Sequence, residues 1–153
     1  MRLLLDDNVV IDYLAVREPF YADARRIMLL GACKEVELWI GAHQINDIFY
    51  VVSEGGKESA GVLWQARLKQ LRSFVHICGV QESDVDAALD SGWSDLEDAC
   101  VHQCAQKAHV DFIISRDVKG FVRAHIPTLS PKDFFEWLKE HKGLVYEEVY
   151  LVD

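Results

Sequence analysis

Asp6, Asp7 and Asn8 stand directly behind the apolar run Arg2–Leu5, and Asp117 follows a second such run, Asp111–Ser115 (DFIIS), across Arg116. Asp47 falls in INDIFYVV, shortly after ELWIGA, and Asp98 falls in SDLEDAC. Carboxylates brought together repel one another and raise each other's pKa unless a cation neutralises them. Mg²⁺ and Mn²⁺ suit an all-oxygen set and keep several of their waters. Such an ion acidifies a bound water and stabilises charge developing on a phosphoryl oxygen, so the chemistry indicated is phosphodiester or phosphate-ester hydrolysis.

Convergence depends on the elements that carry these residues. Arg2–Leu5 reads as a buried strand, stopped by Asp-Asp-Asn, with a helix continuing through Val9, Val10, Tyr13 and Leu14 until Glu18-Pro19. A second helix starts near Tyr21. Glu37–Ala42 is a strand, Ile45–Val52 a helix, and Lys57–Phe74 a long helix with Leu63, Leu68 and Leu71 partly facing in. Val75–Val80 is a strand, and Ser83–Leu89 a short helix opened by a Ser cap. Ser94–Ala108 is a helix, Asp111–Ser115 a strand, Pro127–Leu129 a short edge strand, and Pro131–His141 a helix punctuated by Pro131 and Gly143. The tail Leu144–Asp153 alternates apolar and acidic residues, as a strand or an extended docking arm would. Strands separated by helices imply a parallel sheet covered on both faces, with ligands beyond the carboxyl ends of the strands. Asp6 and Asp117 both lie at such ends, and Asp47 and Asp98 lie in opening turns of helices, where backbone dipoles favour negative charge.

Each acid also has a plainer reading. Ser94-Asp95-Leu96-Glu97 fits a capping box, in which Ser94 and Glu97 satisfy free backbone N–H groups. Asp47 and Asp12 can be solvated helix residues, and Asp117 a turn residue. Asp6 resists such a reading, because it ends a buried strand, where an unpaired carboxylate is costly.

The chain has 153 residues, half of them hydrophobic, which suits one domain. Asp6 and Asp7 interrupt the only apolar N-terminal stretch, and no segment approaches the roughly 18 apolar residues that span a bilayer, so a cytosolic protein without a membrane role is expected. Cys33, Cys78, Cys100 and Cys104 lack paired metal-ligand spacing and read as reduced thiols in apolar contexts. The six histidines are scattered, and Ser53, Ser59 and Ser115 sit in no nucleophile elbow. The net charge of −9 sits awkwardly with a nucleic-acid partner. Either the acids are concentrated around a cation that inverts the local field, or the protein binds no nucleic acid.

LLLDDNVVIDYL, INDIFYVV, SDLEDACVHQCA and DFIISRDVKGF, in that order and spacing, resemble the PIN-domain nucleases. The resemblance implies a three-layer α/β/α sandwich around a central parallel sheet, as a single PIN-like domain over residues 1–141 with a C-terminal tail over 142–153. It implies a metal-dependent endoribonuclease using Mg²⁺ or Mn²⁺, with Asp6, Asp47, Asp98 and Asp117 as catalytic acids and Asp6, Asp98 and Asp117 as metal ligands. Asn8 matches a residue supporting the first Asp, Asp95 an additional acid, and Phe121 an aromatic packing position. Asp7 stands where the family usually has Thr or Ser, so it either adds a ligand to the site or points away as a helix cap. Asp47 stands where the family often has Glu, which asks for a bridging water.

Many small members resemble the toxin half of bacterial toxin–antitoxin pairs (VapC-like). That implies an RNA substrate, an antitoxin protein reaching into the acidic groove, and a homodimer, for which Trp39, Phe49, Trp64 and Trp93 are large enough as anchors. Arg116, Lys119 and Arg123, with Arg17 behind them, are the candidates for phosphate contacts. Two rival readings compete. A response-regulator receiver also opens on LLLDDN but needs a strand-ending Asp near position 50, where Asp47 lies in a helical segment. An inert PIN-like protein- or RNA-binding module keeps the fold without the chemistry, and the net charge favours it.

Overall fold

The computed structural model describes residues 1–146. Five strands, β1 (Arg2–Leu5), β2 (Glu37–Gly41), β3 (Val75–Cys78), β4 (Phe112–Ile114) and β5 (Thr128–Leu129), form one sheet in the order β3-β2-β1-β4-β5. Every pairing is parallel. Both faces of this parallel sheet are covered by helices: α1 (Asp7–Leu14), α2 (Tyr21–Ala32), α3 (Gln44–Val52), α4 (Glu58–Leu71), α5 (Glu82–Asp90), α6 (Leu96–Lys107) and α7 (Pro131–Lys142).

Side chains alternate across β1, and this alternation divides the core into two. Leu3 and Leu5 enter one cluster with Leu38 of β2 and with Val9, Ile27, Ile48, Leu71 and Phe134, supplied by α1–α4 and α7. Leu4 points the other way, into a cluster with Val101, Cys104, Ala105, Ile113 and Phe121, under α6. The result is the expected three-layer α/β/α sandwich.

The chain builds β1, β2 and β3 outward in one direction, then returns to place β4 and β5 on the other side of β1. Between β1 and β4 the strand order therefore reverses, and the crevice beyond their carboxyl ends is where such sheets bind ligands. The register Leu5↔Ile114 sets the next residues, Asp6 and Ser115, side by side at that crevice.

Several local expectations are corrected. The cap of α5 is Gln81, which with Asp84 forms a capping box, so Ser83 lies inside the helix. The cap of α6 is Asp95, not Ser94, and its side chain accepts from the Asp98 N–H. Leu63 is exposed on α4, whereas Leu68 and Leu71 are buried. Asp12 is not a solvated helix residue but 1% exposed. Of the tail expected as a strand or docking arm, residues 144–146 carry no regular element and the remainder lies outside the described residues. No described helix is long and apolar enough to cross a membrane.

Candidate active site

Asp6 ends β1 and caps α1. Its Oδ1 accepts from the Asp7 N–H at 2.9 Å, and its Oδ2 accepts from Asn8 Nδ2 at 2.9 Å and from the Ser115 hydroxyl at 2.6 Å. Ser115 Oγ in turn accepts from Asn8 Nδ2 at 3.1 Å and from the Asp117 N–H at 3.0 Å. One hydroxyl thus ties the end of β4 to the end of β1, and the Asn8 amide donates to both Asp6 and Ser115. Burial drives the Asp6 carboxyl above its usual range, against the hydrogen bonds from Ser115 and Asp7.

Because Asp6 is the cap, Asp7 is released into the first turn of α1. Its Oδ1 accepts from Gln44 Nε2 at 2.8 Å, and its carboxyl lies within 4.8 Å of that of Glu97. Gln44, fully buried, also donates to the Leu5 carbonyl at 2.9 Å and accepts from the Gly41 N–H at 2.6 Å, so it locks the carboxyl ends of β1 and β2 together beneath Asp7. The residue standing in place of the family's Thr or Ser therefore faces into the site.

Glu97 comes from the opening turn of α6. Its carboxyl is pushed up to about 8, first by its hydrogen bond with Asp7, then by burial and by the charges of Asp7, Asp47 and Asp95. Carboxylate oxygens of Asp6, Asp7 and Glu97 all lie within 4.8 Å of one another, the one such group of potential metal ligands among the described residues. Asp98, next on α6, is pushed up to about 7 by burial and by Asp6, Asp95, Glu97 and Asp117. Asp117 caps the single 3₁₀ turn Val118–Phe121 through the Gly120 N–H at 3.2 Å. Gly120 is the floor on which Asp98 and Asp117 meet. A Cβ at that position would lie 2.7 Å from Asp98 Oδ2 and 3.0 Å from Asp117 Oδ2.

Asp47, exposed on α3, adds its charge to Asp7 and Glu97 from the side. The structure thus gathers Asp6, Asp7, Asp47, Asp95, Asp98 and Asp117 at one rim, though Asp98 and Asp117 fall outside the tight trio. Glu97, Ser115 and Gln44 are the participants that sequence reasoning missed. The signal for Glu97 was present in Asp95-x-Glu97-Asp98, but the capping-box pattern absorbed it. Among the basic candidates, Lys119 is exposed on the 3₁₀ turn beside Asp117. Arg123 is exposed and donates to the Gly92 carbonyl at 2.5 Å. Arg116 is turned onto Asp12, with Nε to Oδ2 at 2.6 Å and Nη2 to Oδ1 at 3.2 Å. Arg17 is exposed in the turn after α1. Phe121 is buried and packs edge-on against Trp93, at 6.0 Å between ring centroids.

The donor set fits a hard divalent cation. It is all carboxylate, is held by strand ends and helix starts, and retains protons that a cation would displace. The cysteines do not compete for this role. Cys78 and Cys104 are buried together, and burial pushes the Cys104 thiol up to about 12, so it is a packed, unreactive thiol.

A fold of this topology, with acids from β1, β4 and α6 at the strand-order reversal, is the class the sequence motifs implied. A family model of the PIN domain matches residues 2–119, and the chain belongs to that family. No curated protein sequence matches significantly. Among solved structures, the chain is similar to a toxin–antitoxin complex from Klebsiella pneumoniae at 20% identity, covering 84% of this chain and 97% of that one with a TM-score of 0.58. It is also similar to VapBC2 from Rickettsia felis bound to a DNA fragment from its promoter, at 15% identity, 85% and 98% coverage and a TM-score of 0.61. FitAcB from Neisseria gonorrhoeae gives 15% identity, 85% and 98% coverage and a TM-score of 0.60. At these identities the likeness is one of fold.

Proposed function

We propose that this PIN-domain protein is a Mg²⁺- or Mn²⁺-dependent endoribonuclease and the toxin of a toxin–antitoxin pair. The observation that carries the reading is the trio Asp6, Asp7 and Glu97, flanked by Asp98 and Asp117 on Gly120. So many carboxyl groups at one rim, with Glu97 and Asp98 driven toward neutrality, form a site that lacks positive charge.

Asp6, Asp98 and Asp117 would hold the cation, with Glu97 and Asp7 as further donors and Asp47 oriented through water. When bound, the ion supplies a more acidic water and stabilises charge on the phosphoryl oxygens. The chain's own part is positional. Asn8 and Ser115 fix the orientation of Asp6, Gln44 fixes Asp7, and Asp95 sets the start of α6 so that Glu97 and Asp98 face the rim. Lys119 and Arg123 would contact backbone phosphates on either side of the scissile bond. An antitoxin presenting a basic side chain to this rim would offset both the local field and the net charge of −9, and one solved structure of similar fold is a toxin–antitoxin complex. A homodimer in the cytoplasm belongs to the same reading, as does a single domain over residues 1–141 with 142–153 as an appended tail.

The test is calorimetric titration of Mn²⁺ into the wild type and Asp6→Asn, followed by an RNA cleavage assay on both. Binding and cleavage by the wild type, both lost in the variant, are expected. Absence of binding by the wild type would leave the inert PIN-like module as the reading of this fold.

A further inference from the structure

We propose that Arg116 is a positioning residue: latched to the buried Asp12, it clamps the segment after β4 against α1 so that Ser115 and Asp117 stand in register with Asp6. The inference rests on the metal-site reading and assigns the one basic residue of the rim sequence that the geometry turns away from it.

Asp12 is 1% exposed, and a carboxylate so buried needs a partner. Arg116 supplies one with both edges of its fork, at 2.6 and 3.2 Å, the paired geometry that a guanidinium provides and an ammonium cannot. The guanidinium face is covered as well, with Cζ 4.1 Å from the centre of the Phe20 ring. Asp12 lies roughly 8 Å along the axis of α1 from its Asp6–Asp7 end, at about 1.5 Å per residue, so the charge of Arg116 is drawn down the flank of the helix.

The same face of α1 makes a second grip. Asn8, one helical turn before Asp12, accepts from the Arg116 N–H at 3.1 Å while donating to Asp6 Oδ2 and Ser115 Oγ. Arg116 is therefore held twice, by its backbone at Asn8 and by its side chain at Asp12. Its neighbours on either side are Ser115, which donates to Asp6, and Asp117, whose N–H donates back to Ser115 Oγ. Side-chain rotation at Arg116 would loosen the one segment that carries both groups. Outer partners of metal-binding carboxylates act in this way on affinity without touching the ion.

The experiment titrates Mn²⁺ by calorimetry into the wild type, Arg116→Met, Arg116→Lys, Asp12→Asn and the double variant Asp12→Asn/Arg116→Met, with melting curves for each. The double variant removes both charges together and keeps the question open to measurement if Arg116→Met fails to fold. Weakening of Mn²⁺ binding by about tenfold or more is expected in Arg116→Met and Asp12→Asn. The double variant should be no worse than either single change, since the two residues act as one unit. Arg116→Lys should recover only part of the loss. Folded variants that melt earlier yet bind Mn²⁺ as the wild type does would reduce the pair to a stabilising contact and overturn the proposal. So would an Arg116→Met that leaves Mn²⁺ binding intact but weakens capture of a short oligouridylate in chelator, while Asp12→Asn strengthens it, because that pattern marks a phosphate ligand. Failure of the wild type itself to bind Mn²⁺ removes the metal-site reading and this proposal with it; binding by the wild type with unchanged variants removes this proposal alone.

Discussion

The carboxyl groups of Asp7 and Glu97 stand within 4.8 Å of each other, although both are acids and one opens α1 while the other lies in the first turn of α6 on the opposite face of the sheet. Carboxylates this close repel one another unless one of them carries a proton, and each other's presence, burial and the charges of Asp6, Asp47 and Asp95 raise the pair so that a proton is favoured. A divalent cation replaces the proton with a stronger neutraliser. On the proposed reading, the rim stores protons when metal-free and holds the cation once they leave.

That exchange sets a pH dependence. Glu97 and Asp98 have folded values of about 8 and about 7, above those of the unfolded chain. Each takes up a proton on folding, so the metal-free protein gains stability as pH falls from about 8.5 to about 6 and loses it as the groups ionise. Melting curves in chelator should show the higher midpoint near pH 6. Asp98→Asn should raise the midpoint near pH 8.5 and flatten the dependence, while abolishing cleavage. Each 1 kcal/mol of relieved repulsion moves the midpoint by roughly 2–4 °C in a chain of this size. Mn²⁺ affinity should run the opposite way and rise with pH, because binding must expel protons. A midpoint that rises with pH in chelator would contradict this account.

Asp6 was legible because a buried strand ending in Asp leaves a costly group unexplained, and Asp117 because it follows a second strand at the same edge of a parallel sheet. The resemblance carried Asp98 and Asn8. Glu97 was not legible, because Ser94-x-x-Glu97 satisfies the capping-box pattern. The helix instead starts one residue later, from Asp95, which rotates Glu97 toward Asp7. Arg116 was read as a phosphate ligand because its partner lies 104 positions away, and no periodicity along a chain announces such a pairing. Gln44 carries no sequence signal at all; only the approach of β1 and β2 gives its amide three partners.

Gln44→Met tests that amide. The change keeps the volume but leaves the Gly41 N–H and the Leu5 carbonyl without their partner in a buried place, at a cost of about 1–3 kcal/mol for each unsatisfied group. It also removes the hydrogen bond from Gln44 that holds Asp7. The expected result is a midpoint lower by at least roughly 5 °C at the sensitivity usual for this size, with weaker Mn²⁺ binding in the protein that remains folded. A variant melting within about 1 °C of the wild type would show that water replaces the amide at no cost.

Lys119 and Arg123 test the proposed RNA interface. Both are exposed, so Lys119→Ala and Arg123→Ala should leave the melting midpoint and Mn²⁺ affinity nearly unchanged. Binding of oligoribonucleotides should weaken to a similar degree whatever the sequence, and the slope of log affinity against log salt should fall by about 0.7 for each single-strand phosphate that is no longer neutralised. Filter binding across a salt series reads both quantities. An unchanged slope in either variant would remove that residue from the interface.

Gly120 separates the fold from the site more cleanly than any acid does. Its backbone does not occupy the left-handed region, so Gly120→Ala imposes no conformational strain there and restricts the unfolded chain, which favours stability by about 0.4–1 kcal/mol at compatible positions. The added Cβ meets the carboxyl groups of two flexible side chains, Asp98 Oδ2 at 2.7 Å and Asp117 Oδ2 at 3.0 Å, and these can swing aside at a cost to the fold confined to the cap that Asp117 makes on the 3₁₀ turn. They cannot swing aside and still face the same ion. With that gain set against a loosened cap, Gly120→Ala should melt close to the wild type, while Mn²⁺ affinity falls about tenfold or more and cleavage falls with it. Substituting any acid would change charge and geometry together; this change leaves every carboxylate in place and alters only the space between two of them. Wild-type Mn²⁺ affinity in Gly120→Ala would mean that Asp98 and Asp117 do not act on one ion, and the ligand set would contract to Asp6, Asp7 and Glu97.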